Sequence, residues 1–165
     1  MISPAYVQTM AAYNAEMNRR WYAAAAGLDD AQRKADHGAF WGSLHGTLAH
    51  ILWGDRMWMS RFAGWDKPAA PLKQGPGLYE DFTELREARV ADDARILAWA
   101  DTVTQPWLDD DLVWFSGAMQ REMRQKRDLL VVHMFNHQTH HRGQAHALIT
   151  ALGAGTGDTD LPFVL

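Results

Sequence analysis

The chain has 165 residues, 47% of them hydrophobic, and its 20 acidic and 16 basic side chains give a formal net charge of −4. That is enough chain for one domain, residues 1–165, with a substantial apolar core, and it excludes a disordered polymer. The mild acidity leaves no electrostatic footprint for nucleic acid; the absence of cysteine excludes disulfides, a cysteine nucleophile and thiolate metal sites.

Eight tryptophans imply a large core, a lined pocket or a subunit interface. No stretch reaches the roughly 18 apolar residues of a membrane span, and the start at Met1-Ile2-Ser3 carries no positive region. A soluble, cytoplasmic protein without membrane or nucleic-acid partners is therefore expected. The acidic clusters Asp29-Asp30, Asp92-Asp93 and Asp109-Asp110-Asp111 read as helix starts and solvated loops.

Ser3-Pro4 opens the first helix, with Ser as N-cap and Pro at the first helical position. The pattern runs to about Ala26 and stops at Gly27. Tyr6, Met10, Tyr13, Met17 and Trp21 recur at spacings of three and four and predict one apolar face. Asp29 with Gln32 has the form of a capping box for a short helical turn. A second helix is expected from about Ser43 to Gly64, with Leu44, Leu48, Ile51, Leu52, Met59 and Phe62 apolar, and Trp53 and Trp58 beside them.

Gly64, Pro68, Pro71, Gly75, Pro76 and Gly77 then predict a loop, either a plain crossover or a flap over a site. A third helix is expected from about Leu78 to Val103, carrying Phe82, Leu85, Val90, Ile96, Leu97 and Trp99, with Pro106 marking its end. Leu112 to Gly117 is too short and too β-prone for another long helix and reads as an extended segment or small hairpin. The fourth helix is expected from about Met123 to Leu152, stopped by Gly153. The apolar end, Leu161 to Leu165, is expected to pack back on the body or on a partner subunit. Four long helices with a long crossover make an all-α four-helix bundle the natural solution.

The chemistry concentrates in the fourth helix, in Asn136-His137-Gln138-Thr139-His140-His141-Arg142-Gly143-Gln144. His137 and His141 are four apart and share a helical face. Two imidazoles so placed can bind a borderline-soft cation such as Zn²⁺ or Ni²⁺, and a third ligand must come from elsewhere. His50, deep in the second helix, is favoured over His45, which lies on a different face. His133 aligns with the pair, His140 is turned about 100° from His141, and His146 points elsewhere. Gly54, four residues after His50, leaves space suited to an open metal position or to close helix packing. The pair has no intervening glutamate, so no general base of the metalloprotease kind is offered. The repeated Glu and Glu-x-x-His pattern of a di-iron bundle is missing, which favours a mononuclear centre.

These residues carry a family resemblance. Tyr13-Asn14 with Asn18, Leu48-Ala49-His50-Ile51 followed by Trp58, and the block from Asn136 through Gln144 resemble the DinB or YfiT-like metalloenzymes, in the family's order and over nearly the whole chain. The resemblance implies a DinB-like four-helix bundle that holds nickel or zinc through His50, His137 and His141, usually as a homodimer. It does not imply DNA binding. It further implies a low-molecular-weight thiol and a small electrophilic substrate, because characterised relatives include thiol-dependent transferases and an isomerase. A metal with an open position would lower the thiol's pKa and supply the nucleophile that a cysteine-free chain lacks.

Around these ligands, Asn136 and Gln144 are expected as supporting groups. His140 is expected either to orient a ligand or to lie on the surface. Arg142 would attract an anionic substrate or form an exposed salt bridge. Tyr13, Asn14, Trp53 and Trp58 are expected to line a pocket or to pack. Three functions compete: a metal-dependent thiol S-transferase, a non-catalytic metal-binding structural or regulatory homodimer, and a metal-dependent hydrolase using bound water.

Overall fold

The computed structural model describes residues 1–117 and 119–165. The long helices are α1 (Pro4–Ala26), α3 (Leu44–Phe62), α4 (Phe82–Thr102) and α6 (Arg127–Ala151), with short helices α2 (Asp30–Lys34), α5 (Gln105–Asp109) and α7 (Leu161–Val164). α1 lies against α4 and α6, and α3 against the same two. Consecutive helices α1 and α3 are thus diagonal in the bundle, as are α4 and α6. Long connections join both diagonal pairs. No helix among the described residues is long and apolar enough to cross a membrane.

Local chemistry starts α1, α2 and α3 where the sequence says. Ser3, Ser43 and Asp81 each accept a hydrogen bond from the third backbone N–H beyond them, a cap contributing about 1 kcal/mol. Asp29 and Gln32 form the reciprocal capping box. Gly153 follows α6 with φ +80°, a left-handed turn that glycine adopts without strain.

Several boundaries differ from the sequence reading. α4 begins at Phe82, because Asp81 provides the cap, and it ends at Thr102. Pro106 does not end it; it lies in the first turn of α5, capped by Thr104. The connection after α3 contains a 3₁₀ turn over Leu72–Gly77. The extended segment is β1 (Asp111–Ser116), paired antiparallel with β2 (Arg121–Lys126), with Trp114 opposite Met123. Met123 therefore lies in a strand, and α6 starts four residues later than its periodicity predicts. Of the last residues only Val164 packs against the core, while Phe163 and Leu165 are exposed.

The core is two apolar blocks separated by a polar layer. One block gathers Met17, Trp21, Leu48, Leu52, Leu85 and Ile149; the other gathers Val7, Met59, Ile96, Trp99, Val131 and Phe135. Between them, Arg89 of α4 donates to Asp55 of α3 at 2.6 Å and pairs with Asp93 at 2.9 Å. Asn18 of α1 donates to Asp93 at 2.9 Å, and Gln138 of α6 donates to Asp55 at 2.8 Å. All four long helices thus meet in one hydrogen-bonded layer, with buried charge paired as an apolar interior requires.

This layer corrects two expectations. Asp92 and Asp93 are neither a helix start nor a solvated loop: they lie mid-helix in α4, and buried Asp92 is also held by Arg56. Val90 and Leu97 face solvent, because the inward stripe of α4 at this level is given to Arg89, Asp92 and Asp93. α1 turns slightly from its predicted face, burying Val7, Ala11, Asn14 and Asn18 while Tyr6, Met10 and Tyr13 sit at its edge.

Candidate metal centre

α3 and α6 are neighbours, and their facing sides bring three histidines together. One ligand nitrogen each from His50, His137 and His141 lies within 4.8 Å of the other two, and among the described residues no other group of three His, Cys, Asp or Glu side chains converges this way. The Nε2 atoms of His50 and His137 are 3.1 Å apart. A tetrahedral ion with nitrogens at about 2.0–2.1 Å sets them roughly 3.3 Å apart, so the His50–His137 pair has the spacing of a small divalent cation's ligands, with the His141 nitrogen within 4.8 Å of both.

The rings are placed by packing. The Trp41 indole stacks on His50 with centroids 3.9 Å apart, and Trp53 lies near-parallel to the same ring at 6.2 Å. Trp53 is itself held by a 2.7 Å hydrogen bond from its indole N–H to the carbonyl of Ala70, and buried Gly75 packs against it. The loop after α3 thus clamps a wall of the site. His137 is held against bare backbone: a β-carbon on Gly54 would stand 2.7 Å from its Cε1. The space left by Gly54 is therefore filled by the His137 ring and is not an open position above His50. Of the three, His141 has a hydrogen-bond partner outside the triad, with its Nδ1 2.8 Å from Oε1 of Gln144.

The environment keeps the imidazoles neutral. Burial, then the neighbouring His137 and His141, pushes His50 down to about 3. Burial, then His141, His133 and His140, pushes His137 down to about 4. Burial lowers His141 too, partly opposed by the bond to Gln144. Three neutral imidazoles with lone pairs available at neutral pH are what a divalent cation requires. They contribute no negative charge, so an ion held there stays strongly positive.

The other sequence candidates divide. His45 is buried, with Nε2 2.6 Å from the carbonyl of Tyr79, and stands outside the cluster. His133 is edge-on to Trp58 at 5.1 Å and its ring centroid is 6.1 Å from that of His137. His146 packs edge-on against Trp21. Asn136 is exposed. Arg142 forms no surface salt bridge and presents no charge to solvent: it is buried beside Tyr13, and desolvation lowers its pKa to about 10. Tyr13 donates to the carbonyl of Thr159, and Asn14 is buried. Trp41, which the sequence reading missed, shares a wall with a cavity of about 430 Å³ also lined by Ser43, His45, Pro76 and Tyr79. None of His50, His137 and His141 lines this cavity. Nothing in the local sequence marks this tryptophan, because it sits in a loop without periodicity.

A bundle with histidines from its second and fourth long helices defines a class, and comparison agrees. The DinB family profile matches residues 1–165, and the chain belongs to the DinB family. No curated protein matches it at a significant level.

Proposed function

We propose that this chain is a metal-dependent enzyme of the thiol S-transferase kind, with His50, His137 and His141 holding one Ni²⁺ or Zn²⁺. The observation that carries the reading is the composition of the cluster: three converging neutral imidazoles and no carboxylate. A divalent ion bound by such a set supplies a positive centre that favours the thiolate form of a thiol. The chain has no cysteine, so that thiol comes from a small molecule. A hydrolase would want a positioned base, and no Asp or Glu joins the cluster.

The surrounding residues fit this chemistry. Trp41 and Trp53 cover the flanks of His50 and keep water from that side. Homodimer formation belongs to the same reading through the family resemblance, and sedimentation of the purified protein measures it.

The test is elemental analysis of protein purified without a metal-affinity tag, followed by thiol titration of the cobalt- or nickel-loaded form. About one metal per chain, together with a thiol-dependent charge-transfer band, supports the reading. Metal without a thiol response returns it to a structural or hydrolytic role. No metal after reconstitution overturns it. His50→Ala, His137→Ala and His141→Ala each lose the metal, whereas His146→Ala keeps it.

A further inference from the structure

His141 and Gln144 are three apart on α6, and the 2.8 Å contact between them joins the ring Nδ1 to the amide oxygen. An amide oxygen only accepts, so Nδ1 of His141 carries the proton and Nε2 keeps the lone pair. The other end of the same amide faces His140, with the two Nε2 atoms 3.4 Å apart. There the amide N–H donates to an imidazole lone pair. The amide thus links the two rings: with its oxygen on the Nδ1–H of His141, its N–H is directed at Nε2 of His140.

The other two histidines have no such device. The Nδ1 atoms of His50 and His137 are buried without a hydrogen-bond partner. Trp41 and Trp53 orient His50, and the bare backbone of Gly54 admits His137. Packing fixes the plane of a ring but does not choose which nitrogen bears the proton. The 3.1 Å contact between the Nε2 atoms of His50 and His137 needs one proton but does not say which ring supplies it, whereas at His141 the amide acceptor decides.

We infer that Gln144 is a positioning residue of this centre, acting through His141 by holding its proton on Nδ1 and its Nε2 lone pair free, with His140 steadying the amide. The tautomer part stands on geometry alone. The consequence for metal affinity rests on the metal reading above.

The experiment is long-range ¹H–¹⁵N correlation of the histidine rings in the metal-free full chain, with zinc affinity measured by chelator competition. Wild type is expected to show His141 as the Nδ1–H tautomer. Gln144→Leu is expected to lose that preference and to bind zinc about 10- to 100-fold more weakly. Gln144→Glu, which keeps an acceptor, is expected to restore both, and His140→Ala to produce a smaller loss than Gln144→Leu. Leu and Glu match Gln in helix propensity and the site is half-buried, so a thermal melt is expected to show the bundle intact.

An unchanged His141 tautomer in Gln144→Leu overturns the inference. A changed tautomer with unchanged zinc affinity overturns the positioning role. Failure of wild type to bind zinc overturns the metal reading separately, because the tautomer signal of the metal-free protein still tests Gln144.

Discussion

Gly54 and His137 occupy one another's space: the imidazole of His137 sits where the side chain of residue 54 would begin, 2.7 Å from Cε1 to an added β-carbon. Gly54→Ala therefore sets two effects against each other. Alanine favours a helix interior by about 1 kcal/mol over glycine, while its methyl group pushes the ring away from His50. The expected result is an intact bundle with zinc affinity reduced by about tenfold or more, roughly 1.4 kcal/mol in binding. A thermal melt with a chelator competition checks both halves, and unchanged affinity would contradict the geometry.

Arg89 is buried and paired with both Asp55 and Asp93. Arg89→Met removes the cation and leaves the fully buried carboxylate of Asp55 and the partly buried one of Asp93 without it. Breaking a buried pair costs about 3–5 kcal/mol. Urea unfolding should show a loss of that order; a loss below about 1 kcal/mol would mean that the carboxylates reach water.

Acid should weaken the metal-free fold through its histidines. His50 is held at about 3 and His137 at about 4, chiefly by burial, whereas an unfolded histidine titrates near about 6.5. Below that value the unfolded chain takes up protons that the native fold refuses. Stability is therefore complete above about pH 6.5 and is lost progressively as pH falls from there toward 4 and then 3. Urea midpoints of the metal-free protein from about pH 7.5 to 5 should fall, and fall less steeply in His50→Gln. Equal slopes would rule out His50 as a source of the effect.

Trp41 should report on the site directly. Its indole is in face contact with His50, so a paramagnetic ion held by the histidines lies close enough to quench its emission. Cobalt titration is expected to quench wild type more than Trp41→Phe, with similar affinity in both. Equal quenching amplitudes would place the ion away from this ring.

Much of the fold was legible because local chemistry and global packing agree. Ser3-Pro4, Ser43 and the Asp29–Gln32 box mark helix starts, and apolar spacing marks α1 and α3. The triad was legible because His137 and His141 share one face of a helix and His50 stands among Leu48, Ile51 and Leu52. The second hairpin strand was not, since Arg121-Glu122-Met123-Arg124-Gln125-Lys126 has almost nothing apolar, and its pairing comes from the partner strand. The polar layer was hidden for a related reason. Asp93 looks like a surface charge until Asn18 arrives from α1 to meet it and Arg89, one turn away on α4, is buried beside it. Gly54 was seen as space, but only the packed helices show which ring takes it.

His50 and His137 are separated by 87 positions, and α4, α5 and the hairpin lie between them in the chain. A chain emerging from the ribosome presents His50 long before its partners exist, and it cannot close the triad until the last long helix docks. Contacts of such sequence separation form late because their loop-closure entropy must first be offset. A truncated or half-folded chain can bring together at most part of the triad, so on the proposed reading stable metal loading would mark a molecule that has finished folding.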